Sequence, residues 1–223
     1  MSDPDRSDII PPSPSEADYA ADAAGKPLIP EIADPLALFT DWMAAARASE
    51  PNDANAMSLA TVDAQGRPDV RIVLLKDVSA AGFAFYTNFE SAKGGQLKAA
   101  PVAALGFHWK SLRRQVRVRG EVGPVPDEEA DRYFASRARA SRVSAVASDQ
   151  SRPLPSRAVF DARIKALEEE YAGREDIPRP ANWGGYRLEP VEIEFWQDQA
   201  FRMHDRLKFT RKGGVWTSER LYP

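Results

Sequence analysis

The segment RRQVRVRGEVGPV, residues 113–125, restricts the fold of this chain more than any other segment. Within it, Val116 and Val118 alternate with the polar residues Gln115 and Arg117. Successive side chains of a β-strand point to opposite faces, so this segment would have one apolar and one charged face. A shift of the register by one residue would bury the charged face. The alternation therefore predicts a strand that lies with one face against a core.

Further strands are predicted on both sides of this segment, and short turns connect several of them. A turn at AQGRP joins MSLATVD to VRIVLLKD, and Gly82 opens the strand GFAFYTN. Strands that short turns connect pair antiparallel. The sequence has no repeated βαβ pattern and neither of the glycine motifs GxGxxG and GxxxxGK[ST]. The other predicted strands are VAALGFHW, VEIEFWQD, FRMHDRLKF and VWTSERLY. We predict a mainly β fold with flanking α-helices (α+β), a closed or partly closed antiparallel barrel.

Helices are predicted before and between these strands. Asp34 suits the N-cap and Pro35 the first turn of a helix that has Leu38 and Trp42 on one apolar stripe. A shorter helix, SAKGGQLKAA, is capped by Ser91. Three more helices are predicted in PDEEADRYFASR, SRVSAVASDQ and SRAVFDARIKALEEEYAG.

The beginning of the chain differs in composition from the rest. It is rich in Pro, Ser, Asp and Ala, as in PPSPSEADYAADAAGKP. Such a segment buries too little apolar surface to offset the entropy lost on ordering. We expect residues 1–30 to form a mobile N-terminal arm and residues 31–223 to form a single domain.

Composition excludes several classes of function. The chain has no cysteine and two histidines, so disulfides, thiol catalysis and three-histidine metal sites are excluded, and we predict no metal site. A net charge of -3 argues against a nucleic-acid binder. The sequence has no apolar run long enough to cross a membrane and no signal-peptide pattern. We expect a cytoplasmic protein with no nucleic-acid or membrane partner.

Two basic segments could be either solvated edges or anion sites. The strand RIVLLK has Arg71 at one end and Lys76 at the other. Lys93 follows the predicted helix start at Ser91, where free backbone N–H groups favour a phosphate. A serine that only caps the helix is the alternative.

A third basic segment, RYFASRARASR, has Tyr133, Arg137 and Ser141 at a spacing of four residues. A continuous helix would put these three side chains on one face, where they could hold a phosphate. A solvated basic helix is the alternative.

The segment FRMHDRLKF, residues 201–209, is predicted to be a strand with Arg202, His204 and Arg206 on one face. The two neighbouring cations disfavour protonation of His204, so we expect a neutral imidazole that forms hydrogen bonds. Upstream, Trp196 could pack on a planar ligand or fill the end of the barrel.

Gln115 has an amide that both donates and accepts hydrogen bonds, which suits a heterocycle with mixed edges. A polar outer strand face is the alternative. Together these groups favour an organic ligand, or a pair of ligands, carrying phosphates.

The same motifs, in the same order, resemble those of the pyridoxamine 5′-phosphate oxidase family. They are RIVLLK, FYTNFESAKG, RRQVRVRGEV, YFASRARASR, SDQSRPL, NWGGYRLEP, IEFWQ, FRMHDR and RLYP. The resemblance covers about residue 35 to the C-terminus. It implies an FMN-binding split barrel with a six-stranded antiparallel Greek-key core, and a homodimer with FMN at the subunit interface.

The resemblance also implies a reaction. Pyridoxamine 5′-phosphate or pyridoxine 5′-phosphate would be oxidised to pyridoxal 5′-phosphate, with transfer of a hydride from the C4′ carbon to flavin N5. Molecular oxygen would be reduced to hydrogen peroxide, and the amine substrate would also release ammonia. Other split-barrel activities, such as a flavin reductase or a non-catalytic FMN- or pyridoxal 5′-phosphate-binding protein, are the alternatives.

The family's functional residues can be assigned to positions of this sequence. The FMN contacts that the resemblance implies are Arg71, Ile72, Val73, Leu74, Leu75, Lys76, Tyr86, Thr87, Lys93 and Gln115. Four more FMN contacts are implied. Gln150 and Ser151 match a pair that the partner chain supplies, and Trp196 and Arg206 complete this set. The implied substrate contacts are Lys76, Tyr133, Arg137 and Ser141, together with Arg202 and His204, which are also the implied catalytic residues.

Two positions depart from the family pattern. Ala92 stands where the family often has an arginine, so the FMN phosphate would depend more on Arg71 and Lys93. Tyr19 lies in the acidic segment EADYAAD, where some family members have basic residues that close over the substrate. We therefore do not assign Tyr19 to the site.

Overall fold

A computed structural model of the chain describes residues 13–21 and 26–223, and its main element is one antiparallel sheet. Within these ranges the sheet has nine strands, more than the six-stranded core that the resemblance implies. The strands are β1 (Ala56–Val62), β2 (Pro68–Leu74), β3 (Asp77–Ser79), β4 (Gly82–Asn88), β5 (Val102–Trp109), β6 (Arg114–Pro124), β7 (Trp183–Gln197), β8 (Asp205–Lys212) and β9 (Val215–Arg220). Their order is β2-β1-β5-β6-β7-β4-β3, and β8 joins β7 and carries β9 at its other edge.

Six helices surround the sheet in the described part of the chain, together with a 3-10 turn at Ala200–Arg202. The helices are α1 (Glu16–Ala21), α2 (Pro35–Ser49), α3 (Ala92–Ala99), α4 (Asp127–Ser136), α5 (Arg139–Ala147) and α6 (Arg157–Glu170). None of the helices in the described ranges is long and apolar enough to cross a membrane.

The sheet curls, and α2 fills its concave side. Where the chain leaves β2, the backbone N–H of Lys76 donates to the carbonyl of Ala84 in β4, at the other end of the strand order. Phe39 of α2 contacts the rings of Phe83 and Phe107 at centroid distances of 5.0 and 5.1 Å. These rings are fully buried, so a single apolar core lies between the helix and the curled sheet. The predicted antiparallel split barrel with flanking helices is confirmed.

Strand β6 has the two faces that its sequence predicts. Val116 and Val118 are 0% exposed and belong to the core. Arg117 lies on the opposite face and pairs in register with Glu194 of β7. The charged face therefore forms cross-strand contacts outside the barrel.

The predicted caps of α2 and α3 are also confirmed. The Asp34 side chain accepts a hydrogen bond from the backbone N–H of Leu36, and Pro35 is the first residue of α2. The Ser91 hydroxyl accepts from the backbone N–H of Gly94. These caps satisfy backbone donors that the first turn of a helix leaves without partners.

The predicted N-terminal arm lies partly outside the described residues, since 1–12 and 22–25 are not described. The residues just before the predicted boundary pack on the domain. Ile29 is 1% exposed, and its backbone N–H donates to Asp205 at 2.6 Å. The packed part of the chain therefore begins before residue 31, because Ile29 contributes to the core. The mobility of the arm remains a prediction.

Candidate active site

A cavity of about 570 Å³ opens between β2, β4, the start of α3 and the helices α4 and α5. It brings together residues that are far apart in the sequence. The predicted ligand-binding residues that line it are Ile72, Val73, Leu74, Lys76, Tyr86, Thr87, Lys93, Tyr133, Arg137, Ser141 and Gln150. The predicted phosphate-binding segments on α3 and on α4–α5 thus face a common space.

Lys93 lies at the deep end of this cavity and is 9% exposed. Its ammonium group donates to Gln150 Oε1 at 2.8 Å, to Thr87 Oγ1 at 2.9 Å and to Ser91 Oγ at 3.3 Å. All three acceptors are uncharged oxygens, so they satisfy the ammonium donors without neutralising the charge. Burial, and to a lesser extent the nearby Arg71 guanidinium, lowers the pKa of Lys93 to about 8.

A glycine fixes the backbone beside Lys93. A Cβ atom on Gly94 would lie 2.2 Å from the carbonyl oxygen of Phe89, far inside van der Waals contact. Only glycine lets the first turn of α3 approach the end of β4 this closely. The glycine that weakens the helix by propensity is therefore required for the position of Lys93 in the cavity.

Arg137 supplies a second cation to the cavity. Its guanidinium lies over the Trp183 ring, 4.9 Å from the ring centroid. Among the described residues its Nη1 atom is buried with no hydrogen-bond partner. Burial also lowers the pKa of Arg137. A buried donor without a partner is costly, and an anionic ligand in the cavity would satisfy it.

Aromatic rings form one wall of the cavity. Tyr86 stacks on Tyr133 at a centroid distance of 3.9 Å and on Trp183 at 5.6 Å. The Tyr86 hydroxyl donates to Glu129 Oε1 at 3.1 Å. Burial and the Glu129 carboxylate raise the pKa of Tyr86 to about 12, so its hydroxyl remains protonated at neutral pH.

The helix assumed for Tyr133, Arg137 and Ser141 is interrupted. Helix α4 ends at Ser136, and Arg137 has extended backbone dihedrals (φ -74°, ψ 149°). The three side chains nevertheless line the same cavity, because the break between α4 and α5 turns the chain around it. The three side chains therefore converge on one cavity without a continuous helix, and their role as a phosphate site stays a prediction.

Sequence reasoning missed several residues that line the cavity. They are Asn88, Ala138, Ser144, Ala145, Ser148 and Trp183. The serines had a usable signal, since Ser144 is three residues after Ser141 and Ser148 is four residues after Ser144, which would place all three on one side of a helix. Trp183 had no such signal in the sequence, because its place in the cavity depends on where β7 begins relative to α4.

Three predicted FMN contacts near β2 and after α5 do not line the cavity, and a fourth, Gln150, lines it within its own chain. Arg71 pairs with Asp69 at 2.5 Å, and its guanidinium donates to Thr61 and Gln96. Leu75 is buried in the core, and Ser151 is exposed outside the cavity. Gln150 was assigned to the partner chain, but it lies against Lys93 of its own chain, because the segment after α5 folds back over α3.

A second group of predicted residues forms a row across three strands, away from the cavity. In the sheet register Gln115 is opposite Trp196, and Trp196 is opposite Arg206. In the described part of the chain none of these three residues lines the cavity. The predicted flavin contacts thus fall into two separate groups within one chain.

The row continues on the same face of the sheet to Arg117 and Glu194, which are opposite each other, and its charges are paired. The Arg206 guanidinium donates through Nε and Nη2 to Glu194 Oε1 at 3.0 and 2.8 Å, and Arg117 donates to Glu194 Oε2. Burial would raise the pKa of Glu194, but its bonds to the two arginines outweigh burial and lower it. Arg206 also donates to the carbonyl of Tyr222 at 2.9 Å.

The prediction that residues 201–209 form one strand was wrong. Strand β8 begins at Asp205, whose buried carboxylate binds the backbone N–H of Ile29 and the Arg220 guanidinium. Before it, Phe201 and Arg202 have positive φ angles of 55° and 59°. Such angles are incompatible with a strand, so Arg202 and Arg206 do not share a strand face. No glycine or proline in this segment signals the turn.

His204 lies between the turn and β8. Its ring is 4.6 Å from the Trp196 ring, and its Nδ1 atom is 3.2 Å from Asp198 Oδ1. Burial lowers the pKa of His204, Asp198 raises it, and Arg202 and Arg206 lower it, so that it is below its usual value. This agrees with the neutral imidazole that the sequence predicts. Beside it, Tyr19 of α1 packs on Phe201 at 5.3 Å.

The described residues contain no cluster of three or more histidine, cysteine or acidic side chains that could hold a metal ion. The predicted ligand-binding residues thus fall mainly into two groups, the cation-lined cavity and the row of Gln115, Trp196 and Arg206.

A curled antiparallel sheet with a cation-lined cavity beneath its flanking helices defines a split-barrel protein. Residues 43–171 match the sequence profile described as pyridoxamine 5′-phosphate oxidase. Residues 183–223 match the profile of the pyridoxine 5′-phosphate oxidase C-terminal dimerisation region. The chain belongs to the pyridoxamine 5′-phosphate oxidase family, and the second match supports a homodimer.

Curated relatives agree over nearly the whole chain. The pyridoxine/pyridoxamine 5′-phosphate oxidase of Hyphomonas neptunium is 68% identical over 97% of this chain and 99% of its own length. The protein of the same name from Caulobacter vibrioides is 56% identical over 96% of this chain and 97% of its own length.

Two solved structures resemble this fold. PhzG from Burkholderia lata 383, in complex with tetrahydrophenazine-1-carboxylic acid, has a TM-score of 0.81 and 30% identity, covering 86% of this chain and 94% of its own. A pyridoxamine 5′-phosphate oxidase-related, FMN-binding protein from Nostoc punctiforme has a TM-score of 0.71 and 18% identity, covering 86% of this chain and 100% of its own. The second likeness concerns the fold alone.

Proposed function

We propose that this protein is an FMN-dependent oxidase that converts pyridoxamine 5′-phosphate and pyridoxine 5′-phosphate to pyridoxal 5′-phosphate. Oxygen is reduced to hydrogen peroxide, and the amine substrate also yields ammonia. One observation carries the proposal within this family. A single cavity contains three cations with no salt bridge to a carboxylate among the described residues, and two of them, Lys93 and Arg137, are withdrawn from solvent at separate positions, while Lys76 is exposed. FMN and the substrate each carry one phosphate, so two such positions fit the pair.

Lys93 and its neighbours fit the phosphate of FMN. The buried ammonium has only uncharged acceptors, and it lies beside the N-terminal turn of α3, where backbone N–H groups favour anions. Thr87 and Gln150 complete this part of the site. The redox chemistry would be supplied by bound FMN, which can take two electrons from the substrate and pass them to oxygen.

Arg137 and its neighbours fit the phosphate of the substrate. Its Nη1 atom needs an acceptor, and the hydroxyls of Tyr133 and Ser141 face the same cavity. Lys76 lies over the Tyr133 ring at 5.9 Å and adds a further positive charge. These residues bind and orient the substrate, which raises the rate by positioning.

We infer that the complete site contains residues of two subunits. The row of Gln115, Trp196 and Arg206 is separate from the cavity, and two of its members belong to the dimerisation region. In a homodimer with FMN at the interface, the row of the partner chain would complete the flavin site. Arg202 and His204, beside the row, would contact the substrate at its reacting side. We further expect the enzyme to act in the cytoplasm.

Aerobic turnover of the FMN-reconstituted protein tests this function. We expect both phosphorylated substrates to give pyridoxal 5′-phosphate, measured by its absorbance, with one hydrogen peroxide per product. Unphosphorylated pyridoxine is the matched control and should react poorly, since it lacks the group that Arg137 binds. Rapid flavin reduction by NADPH without turnover of either substrate would instead indicate a flavin reductase, and binding without peroxide would indicate a carrier.

A further inference from the structure

Arg187 of β7 binds two carboxylates at once. Its Nη2 atom donates to Glu129 Oε1 at 2.7 Å, and its Nη1 atom donates to Asp77 Oδ2 at 2.6 Å. The Arg187 side chain is 16% exposed, and in the described part of the chain it does not line the cavity. Burial would lower the pKa of Arg187, but its bonds to the two carboxylates outweigh burial and raise it. Arg187 is therefore a permanent cation held between β3 and α4.

The sheet register explains how one side chain reaches both carboxylates. Ala84 of β4 lies opposite Asp77 of β3 on one side and opposite Arg187 of β7 on the other. Residues directly opposite each other project to the same face of a sheet, and the small side chain of Ala84 lets the guanidinium cross β4. Ala130 of α4 belongs to the same buried cluster as Ala84, which brings Glu129 to this face.

Both carboxylates border the cavity. Glu129 accepts a hydrogen bond from the Tyr86 hydroxyl at 3.1 Å and lies one helical turn before Tyr133, and both tyrosines line the cavity. Asp77 directly follows Lys76, which also lines it. Without a cation beside them, these carboxylates would repel an anion in the cavity, because salt at physiological strength screens charges only beyond about 8 Å.

We propose that Arg187 is a positioning residue for the substrate phosphate, which acts from outside the cavity by holding and partly neutralising Glu129 and Asp77. One cation against two carboxylates leaves this group with a net charge of -1, and loss of the cation would double that charge. The attraction of a phosphate to Lys76 and Arg137 would then weaken. The identity of the anion rests on the proposed function, whereas the ion pairs of Arg187 do not.

The test compares Arg187→Gln with a double variant that also carries Glu129→Gln. The single variant has two carboxylates without their cation, while the double variant has the net charge of the parent protein but lacks both of its ion pairs. Glu129→Gln keeps an acceptor for the Tyr86 hydroxyl. An electrostatic role of Arg187 therefore predicts recovery in the double variant, whereas a role in docking α4 onto the sheet predicts none.

Equilibrium dialysis with radiolabelled inorganic phosphate measures anion binding by the FMN-bound full chain. At low ionic strength we expect the dissociation constant to rise roughly fivefold in Arg187→Gln and to return to within about twofold of the parent value in the double variant. The difference should shrink as salt is added, because salt screens charge. The KM for pyridoxine 5′-phosphate should change in the same order, with little change in kcat. Arg211→Gln, which removes a pair with Glu189 of β7, is the matched control and should bind phosphate like the parent protein.

Three results would overturn the proposal. These are a parent protein that binds no phosphate, an unchanged dissociation constant in Arg187→Gln, or a double variant that binds as weakly as the single one, which would assign the effect to docking of α4. The first needs no variant to fold. Because phosphate binding is read without turnover, failure of the oxidase assay would refute the proposed function and leave the role of Arg187 in anion binding standing.

Discussion

The cavity and the cross-strand row differ in how their positive charges are compensated. In the cavity, the ammonium of Lys93 has only uncharged acceptors, and the guanidinium of Arg137 has a buried donor with no partner among the described residues. In the row, Arg206 and Arg117 share the buried carboxylate of Glu194. The cavity therefore has uncompensated positive charge, whereas the row is internally paired.

This difference supports the ligand groups that we propose for each region. An anion entering the cavity would satisfy donors and neutralise charge that burial makes costly. An anion approaching the row would have to compete with a carboxylate already in place. The cavity thus suits phosphate groups, and the row, with Trp196 and the amide of Gln115, suits an uncharged planar ring. A flavin and a phosphorylated pyridine present both kinds of group.

The largest expected effect is that of Arg137→Ala. Loss of a charge-assisted contact with the substrate phosphate should raise the KM for pyridoxine 5′-phosphate roughly 10- to 100-fold, with a smaller change in kcat. Steady-state oxygen consumption measures both constants. Arg132→Ala, an exposed arginine of α4 that does not line the cavity, is the matched control. A fall in kcat with unchanged KM would place the role of Arg137 in the reaction itself.

A pH titration of FMN binding probes the other end of the cavity. The pKa of Lys93 in the ligand-free protein is about 8, and the phosphate of FMN is already fully ionised above about pH 7. FMN binding needs the ammonium form of Lys93. Above pH 8 most Lys93 side chains are neutral in the free protein, so binding requires the uptake of a proton. The affinity for FMN should therefore fall about tenfold between pH 7 and 9. Quenching of FMN fluorescence measures the dissociation constant.

Lys93→Arg is the control for this titration, because an arginine keeps its charge throughout this range. Its FMN affinity should be nearly independent of pH from 7 to 9. If the parent protein also bound FMN equally well at both values, Lys93 would not be the principal partner of the phosphate.

The smallest expected effect is that of Glu194→Gln in the row. Without the carboxylate, Arg206 and Arg117 lose their common partner and repel each other, and FMN should bind roughly three- to fivefold more weakly. Glu192→Gln on the same strand face, where the carboxylate pairs with Arg119, is the matched control and should leave binding unchanged. Tighter binding of FMN by Glu194→Gln would show that the row is an anion site, and the contrast with the cavity would fail.

Much of the fold was predictable because local rules agree with the tertiary structure. The alternation around Val116 and Val118 predicts the buried face of β6, and Asp34 and Ser91 cap the helices they were expected to cap. In the candidate site, a local rule also predicts the position of Lys93, because this residue lies at the start of a helix that directly follows a strand. Each of these predictions depends on residues within a few positions of one another.

The errors occur where contacts distant in sequence override the local pattern. FRMHDRLKF alternates like a strand, but Asp205 is held by Ile29 and Arg220, and pairing with β7 starts only there. Arg71, expected at a phosphate, pairs with the nearby Asp69, which the spacing of its strand did not predict, and its assignment to the phosphate stays a prediction. A pattern of side chains cannot indicate which of several possible partners a polar group will reach.

The sequence by itself determined the antiparallel barrel and the helices that flank it, because periodicity, capping and turn chemistry are local properties. Most of the residues expected in the cavity and in the row came from the resemblance of its motifs to the family. Only the tertiary structure decided which of those residues share a cavity, that the α4–α5 break still brings Arg137 and Ser141 together, and that Asp198 faces His204. The physical reason is that uncompensated charge depends on every group that packs nearby, and that set of neighbours is fixed only when the sheet closes.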